Sequence, residues 1–344
     1  MYIKKIDICG FRNQKSKTSF SFTNSKNIIF GPNGSGKTSI LEAIYLLGFG
    51  RSFLNVKKEE LRNIDSNEFF ISSSVVQSDL EYSINASLNK NFSLFLDGEK
   101  TGISGIGQNL FPLFFSSNDY VSLISSKSSL RKLFDKFIFG INNLYSDELL
   151  TYKKIIRNKS VLLKQRKNMS HLRGWNKLLA DHIVTITKKR VDFVQNLNHC
   201  IQKKYSSGME IRYTPSVPDF NNAEILDHEF VMNVLDRIVE KEIAYKNSIC
   251  GTHLDKYEIF LENRPLRLYS SGEKKINLLY VYLGYIDLFL KEREEYPVFL
   301  VDDYDIAMDE KNIDLFMSKY PEMQIIATSV RNNTKFETII KLNT

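Results

Sequence analysis

The residues best placed for chemistry are Gly31-Pro32-Asn33-Gly34-Ser35-Gly36-Lys37-Thr38, which satisfy the P-loop pattern G-x-x-x-x-G-K-[ST]. The apolar run Asn27-Ile28-Ile29-Phe30 stands directly before them and Ser39-Ile40-Leu41-Glu42-Ala43-Ile44 directly after. A strand thus feeds a glycine-rich turn whose amide groups surround phosphates, and the helix that follows offers its positive N-terminal end. This predicts a nucleoside triphosphate site in which Lys37 neutralises the β- and γ-phosphates and Thr38 places its hydroxyl on Mg²⁺. Farther on, Val298-Phe299-Leu300-Val301 is an apolar strand ending in Asp302 and Asp303. Asp302 is expected in the Mg²⁺ shell, and Asp303 is expected to orient or deprotonate the attacking water. Lys37, Asp302 and Asp303 form the catalytic set. No Asn-Lys-x-Asp run that reads guanine occurs, so the nucleotide expected is ATP.

These pieces need a scaffold. Tyr2 to Cys9 alternates polar and apolar residues and predicts an edge strand, with Gly10-Phe11-Arg12-Asn13 as the turn after it. Ile28 to Phe30 is apolar throughout, as a strand covered on both faces is. The P-loop helix is expected to reach about Leu47, closed by Gly48 and Gly50. Phe69-Val76, Leu80-Leu88 and Phe92-Leu96 are β-rich runs joined by polar turns, an antiparallel meander. From about Asp119 to Glu242 the periodicity is helical, interrupted by Pro215 and Pro218. Strand character returns at Tyr257-Leu261, Val298-Val301 and Gln324-Thr328. The organisation predicted is an α/β nucleotide-binding core from residues 1–118 plus 243–344, with an inserted helical lobe over 119–242.

Composition narrows the classes. The chain has 344 residues, 42% of them hydrophobic, enough for one large domain or two modest ones. No apolar run approaches the ~20 residues that span a bilayer, and Met1-Tyr2-Ile3-Lys4-Lys5 does not begin a signal peptide, so a cytosolic protein is expected. Cys9, Cys200 and Cys250 suggest neither a disulfide framework nor a zinc site. The net charge of +7 favours an anionic partner only where it is concentrated.

It is concentrated between Thr151 and Arg173, which carry Lys153, Lys154, Arg157, Lys159, Lys164, Arg166, Lys167 and Arg173 and no acidic residue. Lys153, Arg157, Lys164 and Lys167 fall near one helix face, with Tyr152, Ile155, Ile156, Leu162 and Leu163 toward the other. Such a face either tracks nucleic-acid phosphates or is simply solvated. Arg51 and Lys57, with Lys58, are a second candidate phosphate contact beyond the P-loop helix.

Ser270-Ser271-Gly272-Glu273 precedes a long helical pattern from Lys274 to Glu292. It is either an ordinary serine N-cap or the signature motif of ABC-type ATPases, whose Ser270 and Gly272 would cap the γ-phosphate of ATP held by a neighbouring subunit. Several segments, taken in order, resemble the RecF family of bacterial recombination and repair proteins, within the ABC ATPase class that also contains the SMC proteins. They are Gly10-Phe11-Arg12-Asn13, Leu41-Glu42-Ala43-Ile44-Tyr45, Gly48-Phe49-Gly50-Arg51-Ser52-Phe53, the basic stretch Tyr152 to Lys164, and Glu258 to Arg267 leading into the signature segment. Arg12 and Asn13 either steady the nucleotide or form a plain turn.

The resemblance implies an ABC-type ATPase head with an inserted helical lobe, ATP-dependent dimerisation on DNA, and binding near junctions of single and double strands. It also implies recombinase loading at gaps with recombination mediator proteins, during repair and the SOS response. The chain departs from the family at Glu273, where glutamine is usual, at Gly251-Thr252-His253-Leu254-Asp255-Lys256, and at Ile306-Ala307-Met308-Asp309, which keeps only the final Asp. Two other classes share some of these features: a transporter ATPase subunit, which has no reason for a basic helical lobe, and a clamp that holds ATP without turning it over. Long SMC-type arms do not fit within this length.

Overall fold

A strand of continuous apolar residues is stable only where both faces are covered, and the computed structural model places three such runs side by side. The structure describes residues 1–116, 120–165, 169–220, 226–307, 318–331 and 336–342. In chain order the first elements are β1 (Tyr2–Cys9), β2 (Thr18–Ser21), β3 (Lys26–Phe30), α1 (Lys37–Phe49), β4 (Phe69–Gln77), β5 (Leu80–Leu88), β6 (Phe92–Leu96), β7 (Glu99–Thr101), the short α2 (Ile103–Ile106) and β8 (Pro112–Ser116). Then come α3 (Tyr120–Ser125), α4 (Lys127–Ile141), α5 (Tyr145–Gln165), α6 (Leu172–Lys204), β9 (Met209–Thr214), α7 (His228–Tyr245), β10 (Lys256–Leu261), β11 (Arg264–Pro265) and α8 (Ser271–Arg293). The last are β12 (Val298–Asp302), the short α9 (Tyr304–Ala307), β13 (Ile325–Ser329) and β14 (Thr338–Lys341).

The chain divides into two units, Met1–Tyr120 with Phe289–Thr344, and Val121–Leu288. The first holds two sheets. One is parallel, in the order β14-β3-β13-β12-β8, and β12 and β13 are buried at every position. Parallel strands align their C-terminal ends along one edge, which is where α/β sheets bind ligands. The other sheet is antiparallel, in the order β2-β1-β4-β5-β6-β7, and its β4, β5 and β6 are the three runs of the predicted meander. β1, expected at an edge, is interior: it pairs with β2 on one side and β4 on the other. Its alternation reflects one buried and one open sheet face, which an interior antiparallel strand shares with an edge strand.

The second unit contains most of the helices, and it also contains a strand that helical periodicity did not predict. β9 pairs with β10, Lys256 opposite Thr214 through Leu261 opposite Met209. That pairing draws 243–288 into this unit rather than the ATPase core, as does α8, whose Tyr285 stacks on Phe137 of α4 with ring centroids 3.9 Å apart. The boundary expected at 242 therefore falls at 288, and the signature segment lies in the helical unit. A buried cation organises its core. Arg190 is 1% exposed and bonds Asp135 at 2.8 Å, Asp255 at 2.6 Å and the Thr252 carbonyl at 2.7 Å. Lys159 and Glu242, both fully buried, pair at 2.6 Å. Lys159 thus leaves the set of basic residues that could meet a polyanion.

Among the described residues, no helix is long and apolar enough to cross a membrane. Among the described residues the three cysteines form no disulfide, and burial pushes the Cys250 thiol up to about 12, so it is unreactive.

Candidate functional site

The phosphate loop connects β3 to α1. Gly34 and Gly36 adopt φ of +83° and +94°, the left-handed region open to glycine. At Gly36 the demand is double, because a Cβ there would lie 2.3 Å from Asn13 Nδ2. Asn13 therefore lies directly against the loop. Gly36→Ala is expected to cost about 1–3 kcal/mol in stability and to displace Asn13. Thermal melting and titration with a fluorescent ATP analogue check both effects.

Lys37 is 6% exposed, and its Nζ folds back onto the Gly31 and Pro32 carbonyls at 2.8 and 2.9 Å. Among the described residues the N–H groups of Gly34, Gly36, Lys37 and Thr38 meet no acceptor, and the buried Ser35 hydroxyl has no partner. Four free amides, one buried hydroxyl and one ammonium thus lie within a single eight-residue loop. A buried donor without an acceptor is costly, and an anion such as a phosphate chain relieves that cost. The loop fits a nucleotide.

Thr38 Oγ1 donates toward both carboxylate oxygens of Asp302, at 3.1 and 3.2 Å. These residues are 264 apart in sequence and meet because β13 alone separates β3 from β12. The sequence reading missed Thr328, at the end of β13. It donates to Asp302 Oδ1 at 2.6 Å and accepts the Asp303 N–H at 2.9 Å. Two hydroxyl residues, Thr328 and Ser329, ending an apolar strand were the local signal. Burial raises the Asp302 pKa, an effect the Thr328 hydrogen bond opposes. A carboxylate beside a hydroxyl, both oxygen donors, suits a hard cation such as Mg²⁺. Asp303 follows at φ +48°, a strained conformation for a residue with a side chain.

Arg12 forms a two-pronged ion pair with Glu42 of α1, both contacts at 2.7 Å. Arg12 is therefore held by the protein itself, next to Asn13 on the loop. Helix α1 runs two residues past the expected end. Gly50 caps it at φ +60°, donating to the Leu46 carbonyl, whereas Gly48 lies inside the helix against Pro112.

In the helical unit, Ser270 and Glu273 form a capping box. The Ser270 N–H and hydroxyl donate to Glu273 Oε2 at 2.9 and 2.6 Å, and the Glu273 N–H returns to Ser270 Oγ at 3.4 Å. That pairing gives the unusual Glu273 a local purpose. A Cβ on Gly272 would meet nothing within 4 Å, so packing within the chain does not require glycine there. On α5, Lys153, Lys154, Arg157 and Lys164 are exposed, while Tyr152, Ile155, Lys159 and Leu163 are buried. Lys154, Arg157 and Lys164 form no ion pair among the described residues. Lys167 lies outside the described residues, as do Arg166 and Asp309. In the first unit Arg51 and Lys57 are exposed, whereas Lys58 lies over the Phe92 ring at 3.8 Å.

The sequence profile of the RecF/RecN/SMC N-terminal domain matches residues 2–342. The chain belongs to this family. It is 29% identical to the DNA replication and repair protein RecF of Acetivibrio thermocellus, across 95% of this chain and 93% of that protein. Its identity to the RecF of Clostridium botulinum is 27%, across 95% of this chain and 92% of that one. The structure of the recombination mediator protein RecF with ATP, in the RecFOR pathway, superposes with a TM-score of 0.90 at 27% identity, covering 99% of this chain and 95% of that one. An Smc head bound to the C-terminal winged-helix domain of ScpA matches with a TM-score of 0.53 at 17% identity, a likeness of fold alone. The resemblance to RecF holds along nearly the whole chain, and the fold is the α/β ABC-type head.

Proposed function

We propose that this chain is an ATP-switched DNA-binding protein of replication and recombinational repair. The observation that carries the reading is the meeting of Thr38 with Asp302 beneath a loop of unsatisfied donors. Lys37, Ser35 and the loop amides would hold the phosphates of ATP, and Thr38 and Asp302 would hold Mg²⁺. Bound together, they supply a transferable phosphoryl group and the charge that eases its departure. Thr328 keeps Asp302 aimed at Thr38. Asp303, one residue beyond, would orient a water molecule and take its proton.

In this reading a second copy brings its Ser270–Gly272 segment to the phosphate end of the site, so nucleotide occupancy sets the strength of the dimer. Hydrolysis is then a slow switch rather than a metabolic output. The relatives' names support a repair role, and the RecFOR structure supports recombination mediator proteins as partners. The finer reading is binding at single-strand to double-strand junctions and help in loading recombinase at gaps during the damage response. Sedimentation of the purified chain with and without ATP and gapped duplex tests it. A species that stays monomeric and off the duplex with ATP bound would refute the clamp.

The exposed face of α5 is the proposed duplex contact, with Arg51 and Lys57 as a second one. The Lys154→Ala, Arg157→Ala double variant should weaken duplex binding about equally for all sequences. It should also reduce the slope of log affinity against log salt by roughly 2. An unchanged slope would place the contact elsewhere.

A further inference from the structure

Three segments singled out in the sequence, around Arg12, Glu42 and Ser52, meet at one buried carboxylate. Glu42 is 1% exposed. Arg12 donates from Nε to its Oε2 and from Nη2 to its Oε1, and the Ser52 hydroxyl also donates to Oε1. A carboxylate this deep is costly unless its lone pairs are used, and here the donors arrive from two separate loops. The direction of Arg12 is set by its backbone: φ is +51°, its N–H donates to the Leu61 carbonyl at 2.8 Å, and its carbonyl accepts from Asn63 Nδ2 at 2.6 Å. The next residue, Asn13, lies on Gly36 of the phosphate loop. On the other side, Ser52 Oγ accepts the Leu54 N–H at 2.9 Å, so the segment bearing exposed Arg51 and Lys57 is folded against the same carboxylate.

We propose that Glu42 is a positioning residue that couples the phosphate loop to the Arg51–Lys57 segment. A shift of Asn13 over Gly36 is carried by the Arg12–Glu42 pair to Ser52, and so to two cations that meet the phosphate backbone of DNA. The ion pair is short and two-pronged and its carboxylate is enclosed, so the turn and the helix move as one piece. Ser52 joins this piece to the basic segment at the carboxylate itself, beside an Arg12 Nη1 bond to the Glu60 carbonyl at 3.3 Å and a Tyr45–Phe53 ring contact with centroids 5.5 Å apart. The proposal rests on the ATP-switched reading above and adds the route by which the nucleotide is felt at the DNA.

The decisive variant is Ser52→Ala, which removes the hydroxyl bond to the Glu42 carboxylate but leaves the Arg12–Glu42 pair in place. The readout is a ratio: affinity for a labelled gapped duplex with ATPγS against affinity without it, alongside affinity for ATPγS alone. The wild-type ratio should be about tenfold, and in Ser52→Ala it should fall close to one, with ATPγS affinity kept within about twofold. Glu42→Gln should lose both the ratio and the nucleotide affinity; if it does not fold, Ser52→Ala alone decides. A role confined to stability would lower melting temperature and leave the ratio intact. An intact ratio in Ser52→Ala overturns the proposal, as does a ratio of one in wild-type protein that binds both ligands. Wild-type protein that binds no nucleotide or no duplex fails at the earlier step and removes the switched reading itself.

Discussion

Lys37→Ala should yield a folded protein that no longer dimerises with ATP. Lys37 supplies the only ammonium in the phosphate loop, and it is nearly enclosed, where a charge acts with little screening by water. Removing one partner from an enclosed charge pair costs about 3 kcal/mol or more, roughly a 150-fold loss of affinity. The fold should tolerate the change, because only two hydrogen bonds to loop carbonyls disappear. Equilibrium binding of a fluorescent ATP analogue gives the affinity, and sedimentation velocity gives the assembly. An ATP-induced dimer that persists in this variant would refute the proposed site.

Asp302→Asn should separate stability from turnover. Loss of the charge proposed to hold Mg²⁺ should raise the barrier by about 4 kcal/mol, slowing hydrolysis roughly a thousandfold. The nucleotide-free variant should nevertheless melt at a higher temperature than wild type at neutral pH. Burial raises the folded pKa of Asp302 above its ordinary 3.8, so folding disfavours the ionised form. The stability linked to this group is full below the unfolded value and is lost as pH rises through the folded one. At neutral pH the wild type carries that cost and the asparagine variant does not, while the Thr38 and Thr328 hydroxyls still have an oxygen to meet. The gap in melting temperature should close as pH falls below the usual carboxylate range. A gap that is absent at neutral pH or widens on acidification would show that the Asp302 charge is not the cause.

The parts legible in the sequence were those with short-range causes. The spacing of Gly31, Gly36, Lys37 and Thr38 marks a loop whose geometry is local, and the runs at Ile28 and Val298 mark strands covered on both faces. The exposed basic face of α5 at Lys153, Arg157 and Lys164 followed from helical spacing alone. Lys159 falls on the apolar side, seven residues after Tyr152, and what the sequence did not supply was its partner, Glu242, which meets it from α7. β8 escaped notice because a three-residue apolar run between a proline and a serine has no distinguishing period, and β14 because only alternate positions of an edge strand are covered.

By itself, then, the sequence determined that a triphosphate cradle and an acidic strand end exist, and that the chain resembles one family along most of its length. Tertiary structure alone decided which groups touch. Strand order sets Asp302 against Thr38 and Thr328, and the β9–β10 pairing carries Ser270 and Gly272 into the helical unit. It also folds two loops onto Glu42. The reason is physical: hydrophobic period and turn chemistry act over a few residues, whereas a parallel sheet joins strands through long crossovers whose order no local period encodes.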